Sequence, residues 1–136
     1  MAQVKGIIVN DGGAPARIMN FIANEAISAG EALVFHTNGK AKLATDNNAG
    51  VCGFALTDAA AAAQVSMVTG RGVMLYVICH ADVDAGDMLM VDETTPVAGS
   101  LIQTLEDGSG NLTNVTVAIA AEDAPAAGGL TKVMVM

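Results

Sequence analysis

Large aromatic side chains are nearly absent from this sequence. It contains no tryptophan, and aromatic residues make up 3% of its 136 residues, whereas hydrophobic residues make up 52%. The core must therefore be built from alanine, valine, leucine, isoleucine and eight methionines, which give a small-grained and adaptable interior. A chain of this length buries roughly two thirds of the surface that its unfolded form exposes, so we expect one domain.

Charge is also scarce, and most of it is negative. Charged residues make up 15% of the chain, below the roughly 25% usual in soluble domains. Six basic against fourteen acidic residues give a net charge of -8, which repels phosphate backbones and anionic lipid. Nucleic acid and membrane are therefore excluded as expected partners. A surface this poor in charge is typical of a protein covered by other subunits, which predicts an oligomer.

The sequence also lacks long apolar runs, and it has only two cysteines. No stretch approaches the roughly 18 consecutive apolar residues of a membrane span, and residues 1–10 have no signal-peptide pattern, so we expect synthesis in the cytoplasm without export. Cys52 and Cys79 fall within strand patterns and are interpreted as buried thiols, with a disulfide or a reactive thiol as the alternative.

Residues 50–78 form the stretch around which the rest of the chain is organised. They predict a strand, an alanine-rich corner at residues 59–63 capped by Thr57 and Asp58, a second strand, a Gly70-Arg71-Gly72 turn and a third strand. Five consecutive alanines after Asp58 favour one or two helical turns. The third strand is apolar on both faces, which a half-solvated antiparallel strand would not be. We therefore expect a partner subunit against it, at Arg71, Val73, Met74, Leu75, Tyr76 and Ile78.

Turn signals place further strands on both sides of this stretch. Residues 17–23 suit a strand or one helical turn, and we favour the strand. Asn38-Gly39 is the strongest hairpin signal, because a type I′ turn needs a positive φ at both central positions. Residues 32–36 should therefore pair with residues 40–44. Near the start of the chain, residues 1–13 predict either an edge strand or a detached arm that pairs with a neighbour's sheet.

The second half of the chain repeats the pattern of the first. Residues 82–91 echo residues 26–34, with the two Ala-Gly turns 56 positions apart, and residues 117–127 echo residues 52–62 at an offset of about 65. We assign the nine extra residues to a polar loop at residues 106–114. The pattern predicts a single domain with an arm at 1–13 and a body at 14–136, in which units of about 26–80 and 82–136 are duplicated. The second unit has no equivalent of the third strand.

Many short strands with frequent turns predict a mainly β protein, either a compact β-barrel or a β-sandwich, with one or two short helical corners. The barrel or sandwich would be β-tulip-like or jelly-roll-like. In both forms an extended N-terminal arm would accompany the β-domain.

Signatures of catalysis and of cofactor binding are lacking. Asp82, Asp84 and Asp87 offer oxygen ligands, but their spacing departs from that of a calcium loop, so we expect a solvated turn and no metal. Cys79 and His80 are neighbours on a strand and point to opposite faces, which argues against a Cys-His pair. We expect no enzymatic activity and no cofactor. Arg71, on its glycine turn, could pair with Asp58 or Asp84 of another subunit.

Three phrases resemble the capsid decoration, or cement, proteins of tailed bacteriophages: AGEALV at residues 29–34, AGVCGFA at 49–55 and QVSMVTGRGV at 64–73. The resemblance implies a non-enzymatic virion protein, made in the host cytoplasm, that binds the outer surface of an expanded head as a homotrimer or sometimes a dimer. It would bridge major capsid subunits and stabilise the shell. In such proteins a terminal arm often extends a capsid sheet, a role that would fall here to Val4, Lys5, Gly6, Ile7, Ile8 and Val9.

Two other functions fit the same composition. Another phage structural subunit, such as a minor capsid or tail-tube protein, shares these features. A small-ligand barrel, for example a carbohydrate-binding module, fits less well, because sugar platforms need exposed aromatic rings and this chain offers only Tyr76, Phe21, Phe35 and Phe54.

Overall fold

The protein is built from β-strands. A computed structural model describes residues 16–45, 51–79, 83–91, 101–103, 117–124 and 129–136, and this part of the chain contains ten strands and no helix. The prediction of a mainly β fold is confirmed. The strands are β1 (Arg17–Ile22), β2 (Ala32–Phe35), β3 (Ala41–Leu43), β4 (Gly53–Ala55), β5 (Gln64–Thr69), β6 (Met74–Cys79), β7 (Met88–Val91), β8 (Leu101–Gln103), β9 (Ala118–Ala120) and β10 (Gly129–Val135).

The strands form two five-stranded sheets with the same order of strands. The first sheet runs β1-β5-β4-β2-β3, and the second, read from β6, runs β6-β10-β9-β7-β8. In the second sheet a parallel bridge from Cys79 to Leu101 joins the ends and closes a barrel. In the first sheet an isolated parallel bridge from Ala23 to Ala41 links β1 to β3 at the same place. Neighbouring strands are otherwise antiparallel.

Strand register matches the two sheets residue by residue. In the first sheet Ile18 lies opposite Val68, and in the second sheet Met74 lies opposite Met134 at the equivalent place. Likewise, the pair Leu33 and Leu43 of the first sheet corresponds to the pair Leu89 and Gln103 of the second. We infer that the two sheets are copies of one unit. The first strands of the copies are β1 and β6, whereas the sequence pattern placed β6 at the end of the first unit and gave it no equivalent in the second.

Backbone hydrogen bonds outside the strands recur in both sheets. The Gly30 N–H donates to the Ala55 carbonyl at 2.8 Å, and the Gly86 N–H donates to the Ala120 carbonyl at the same distance. Gly86 lies 56 positions after Gly30, and Ala120 lies 65 positions after Ala55, which are the two offsets visible in the sequence. Gln103 of β8 corresponds to Leu43 of β3, an offset of 60 positions. Because the offset is 56 before β8 and 65 after it, four of the nine extra residues precede β8 and five follow it.

One apolar cluster spans both sheets. It contains Ala32, Phe54 and Val68 from the first sheet together with Val73 and Leu75 from the second, each at most 1% exposed. A smaller cluster inside the first sheet is built from Leu33, Val65, Met67 and their neighbours. The two-sided apolar character of β6 follows from this packing. Its residues Leu75 and Val77 fill the barrel, while Ile78 on its other face is 8% exposed beside the first sheet.

The prediction of a helical turn at the alanine corner, residues 59–63, is wrong. Ala59 makes an antiparallel bridge with Ile27 through N–H···O bonds of 2.8 Å in both directions. Ala62 then adopts a positive φ of 68°, which a right-handed helix does not allow. Bonds to a distant strand thus override the helix propensity of alanine at this corner. The second corner, at 124–127, lies mostly outside the described residues.

The Asn38-Gly39 hairpin is confirmed, but its turn type differs from the expected one. Phe35 pairs with Ala41 and Leu33 with Leu43, as predicted. Only Gly39 has a positive φ, of 82°, and the Gly39 N–H donates to the His36 carbonyl at 2.9 Å. This is a three-residue loop in which one glycine takes the left-handed conformation, so a type I′ turn is excluded.

Candidate interaction surfaces

The expected capsid-binding arm lies outside the described residues. Val4, Lys5, Gly6, Ile7, Ile8 and Val9 all precede Ala16, where the described chain begins. Their role therefore stays a prediction. Asp82 and His80 lie outside the described residues as well.

The strand predicted as an oligomer interface is packed largely within its own chain. Val73 and Leu75 are fully buried and Ile78 is 8% exposed, so these side chains lie in the core. Met74 and Tyr76 are half-buried, and Arg71 is exposed at the turn before β6. Of the six predicted interface residues, these last three keep a side chain that another subunit can reach.

The acidic turn at residues 84–87 is held by hydrogen bonds within the protein. The Asp87 carboxylate accepts the Asp84 N–H at 2.9 Å, and the Asp123 carboxylate accepts the Ala85 N–H at 2.8 Å. Both carboxylates thus stabilise the backbone of the turn. Across the described part of the chain, no group of three His, Cys, Asp or Glu residues is placed to hold a metal ion.

Both cysteines are free thiols; Cys79 is buried as expected, whereas Cys52 is only half-buried. Burial raises the pKa of the Cys52 thiol from 9.0 to about 11 and that of the Cys79 thiol to about 12. The thiolate is the nucleophilic form, so neither sulfur is activated near neutral pH. The Cys52 thiol donates to the Leu33 carbonyl at 3.3 Å, which is a packing role.

Sequence reasoning missed an exposed apolar strand, β1. Its side chains Ile18 and Ile22 are 58% and 44% exposed on one face, and we call these two residues the β1 patch. Met19, on the opposite face, is 38% exposed. Phe35, on β2, is 54% exposed and packs its ring edge against Phe21 of β1 at a centroid distance of 5.2 Å. The only signal in the sequence was the run of apolar residues at 18–22, which reads the same whether it is buried or exposed.

The edge of β1 away from β5 also presents backbone groups. The Ala23 N–H donates to the Ala63 carbonyl at 2.8 Å, which fixes the alternation of the antiparallel ladder with β5. The N–H and C=O groups of Ile18, Asn20 and Ile22 therefore point away from β5, towards the side on which Ala23 bridges Ala41 of β3 at the end of the strand. Edge groups of this kind pair readily with another chain.

Comparison with known proteins gives a likeness in fold. No family model and no curated protein matches the sequence. Among solved structures, the N base of the head fibre protein gp8.5 of bacteriophage phi29 is similar, with a TM-score of 0.64 at 17% identity over 90% of this chain and 95% of that chain. No helix in the described residues is long and apolar enough to cross a membrane. The chain therefore shares the fold of a phage head-fibre base over nearly its whole length.

Proposed function

We propose that the protein is a non-enzymatic structural protein of a tailed-phage particle. It binds the outer surface of the expanded head and bridges neighbouring major capsid subunits, which stabilises the shell. The observation that carries this proposal is the fold shared with a phage head-fibre base over 90% of the chain. The sequence phrases that resemble capsid decoration proteins support the proposal independently.

The surface of the protein suits a role in assembly. The β1 patch and Phe35 expose large apolar side chains, and exposed apolar patches mark surfaces that other proteins cover. The pKa values of both thiols are raised, which favours packing over catalysis for the cysteines. The head location is preferred over the tail-tube alternative because the structural neighbour is a head protein.

Binding would stabilise the head by linkage. A protein that binds the expanded shell and not its precursor stabilises the expanded state by its binding free energy. Rupture of the shell under its packaged DNA would then require loss of these added contacts. Residues 4–9 are the segment that we assign to the capsid, where β-strand addition would gain affinity from main-chain hydrogen bonds.

Self-association belongs to the same proposal. We propose a homotrimer, with Arg71 forming an ion pair to Asp58 or Asp84 of another subunit. All three side chains are exposed, which the pairing requires. If sedimentation velocity shows the same oligomer for Arg71→Ala as for the wild type, this ion pair is discarded.

The proposal is tested by mixing the purified protein with expanded phage heads that lack it. We expect saturable co-sedimentation with expanded heads and little with unexpanded precursors. The matched control is the same protein incubated with tails purified from the particle. Absence of binding to expanded heads, or equal binding to tails, would contradict the proposed location.

A further inference from the structure

We propose that the β1 edge of one copy of the protein binds the turn at residues 84–87 of a second copy. The proposed contact repeats, between molecules, a contact that the two sheets already make within one chain. The partner is therefore a second copy of this chain, and the surface is the β1 patch with the backbone edge beside it.

The contact within the chain joins the turn at residues 28–31 to β6. The Ile78 N–H donates to the Gly30 carbonyl at 2.9 Å. A Cβ placed on Gly30 would lie 3.5 Å from the Tyr76 carbonyl oxygen and 3.6 Å from the Val77 Cα. Ala29 is only 6% exposed. The turn is thus seated directly on the outer edge of β6.

The corresponding turn of the second sheet is built in the same way but is uncovered. Asp123 accepts the Ala85 N–H at 2.8 Å, as Asp58 accepts the Ala29 N–H at 2.7 Å. Ala85 and Gly86 are nevertheless exposed, and no described atom lies within 4 Å of a Cβ placed on Gly86. This turn has the shape of a docked one and has no strand against it in the described part of the chain.

The strand that corresponds to β6 is β1, and its outer face is exposed too. By register, Ile18 corresponds to Met74 and Ile22 to Ile78. Ile22 is 44% exposed against 8% for Ile78, and Ile18 is 58% exposed whereas Met74 is half-buried. These four residues are all apolar and lie on the same face of their strands, so the difference in exposure comes from what packs against that face.

Backbone geometry makes the β1 edge competent for the same bond. The ladder with β5 directs the Ile22 N–H outward, in the position that the Ile78 N–H occupies on β6. The carbonyl of Gly86 in a second copy would accept this N–H as Gly30 accepts that of Ile78.

Apolar side chains beside the open turn complete the surface. Met88 is 43% exposed, whereas its counterpart Ala32 is fully buried in the cluster that spans both sheets. Pairing places Met88, Ile119, Met134 and Met74 in one row across the second sheet. The last three are half-buried, and Met74 is also one of the interface residues expected from the sequence.

Within residues that the structure describes, each molecule thus carries an open turn and an open strand edge, which are different surfaces. A contact between them is heterologous, so successive copies join head to tail and form a ring when the rotation closes. The inference does not depend on the proposed function, because self-association is measured without heads. Failure of head binding and failure of this contact are therefore separate results.

Two charge substitutions test the contact, one on each half. Ile22→Asp places a carboxylate on the β1 edge, and Met88→Asp places one beside the open turn. Both sites are exposed in the single chain, so both variants should fold, which circular dichroism and thermal unfolding verify. Thr37→Asp, at the exposed hairpin tip, is the matched control for added charge.

Sedimentation velocity and native mass spectrometry then give the oligomeric state. We expect the wild type and Thr37→Asp to form the same oligomer, and each interface variant to dissociate at least tenfold more readily. An equimolar mixture of Ile22→Asp and Met88→Asp should form a one-to-one dimer, because one intact strand edge and one intact turn remain between them. A monomeric wild type, an unchanged oligomer in either variant, or a mixture that stays monomeric would overturn the proposal.

Discussion

The Asp58 carboxylate accepts a hydrogen bond from the Ala29 N–H, with 2.7 Å between Oδ1 and the nitrogen. Asp58 had been expected to cap a helix at the alanine corner, and it instead fixes a turn 29 residues earlier in the chain. The same bond recurs between Asp123 and Ala85. This carboxylate-to-turn bond is one of the clearest marks of the repeated unit.

The two equivalent bonds should differ in their contribution to stability. Ala29 is buried, so Asp58→Ala leaves its N–H without water and should lower the free energy of unfolding by about 1–2 kcal/mol. Ala85 is exposed, so Asp123→Ala should cost less than about 1 kcal/mol. Urea unfolding measures both losses. It is done with proteins that also carry Met88→Asp, so that no second copy covers the turn at residues 84–87. Equal losses would contradict the assigned difference in burial.

A glycine in β4 is required by close packing. A Cβ on Gly53 would lie 2.6 Å from the Met67 Cγ and 2.7 Å from the Val68 carbonyl oxygen. We therefore expect Gly53→Ala to lower the free energy of unfolding by about 1–3 kcal/mol. The corresponding residues of the second sheet are Ala118 and Val133, so Met67→Val should restore part of the loss.

The control for this substitution is its reverse in the other sheet. Ala118→Gly should cost about 1–2 kcal/mol, through backbone entropy and the loss of a buried methyl group. A double-mutant cycle with Gly53→Ala and Met67→Val gives the coupling between the two sites. A Gly53→Ala protein as stable as the wild type would show that the strands accommodate the new Cβ without cost. Strictly additive changes in the free energy of unfolding for Gly53→Ala and Met67→Val would show that the Met67 side chain does not resist it.

The buried thiols predict a loss of stability at alkaline pH. The pKa of Cys52 is raised by burial from 9.0 to about 11, so its thiol ionises more readily in the unfolded chain. The stabilising contribution is complete below pH 9 and is lost as the pH rises towards 11. The free energy of unfolding should therefore fall between pH 9 and 11.

Substitutions taken from the other sheet separate the thiols from other titrating groups. Cys52→Val and Cys79→Ala introduce the residues found at the equivalent positions, Val117 and Ala23. The double variant should lose less stability than the wild type between pH 9 and 11. Parallel pH profiles for the two proteins would exclude this contribution.

Deletion of residues 1–10 separates head binding from self-association. We expect the shortened protein to keep its oligomeric state, because the surfaces assigned to that contact lie at β1 and at the turn of residues 84–87. It should no longer co-sediment with expanded heads. A variant with residues 6–9 replaced by an equally long Gly-Ser segment controls for length. Full binding by either variant would move the capsid contact to another part of the chain.

Local turn chemistry made much of the architecture predictable. The Asn38-Gly39 hairpin and the repeated Ala-Gly turns at residues 30 and 86 each need a residue with a positive φ, and the position of a glycine can be read directly from the sequence. The assignment of β6 was not predictable, because β1 and β6 share no turn motif and reveal their equivalence only through their pairing with β5 and β10. The alanine corner was misassigned because its partner, Ile27, lies 32 residues earlier in the chain.

The candidate surface was harder to predict than the fold. Apolar residues at 18–22 and at 73–78 have the same appearance in the sequence, and only packing shows that one strand is exposed and the other buried. Part of the cover expected on β6 is supplied by the first sheet of the same chain, through the Gly30 turn at Ile78, while contact of Arg71, Met74 and Tyr76 with another subunit stays a prediction.

We propose that this protein covers the outside of a phage head. An electron cryomicroscopy reconstruction of the native particle tests it most directly. We predict density for the two five-stranded sheets on the outer surface of the expanded shell, in contact with more than one major capsid subunit. Density for the protein inside the shell or along the tail, or its absence from the particle, would contradict the account.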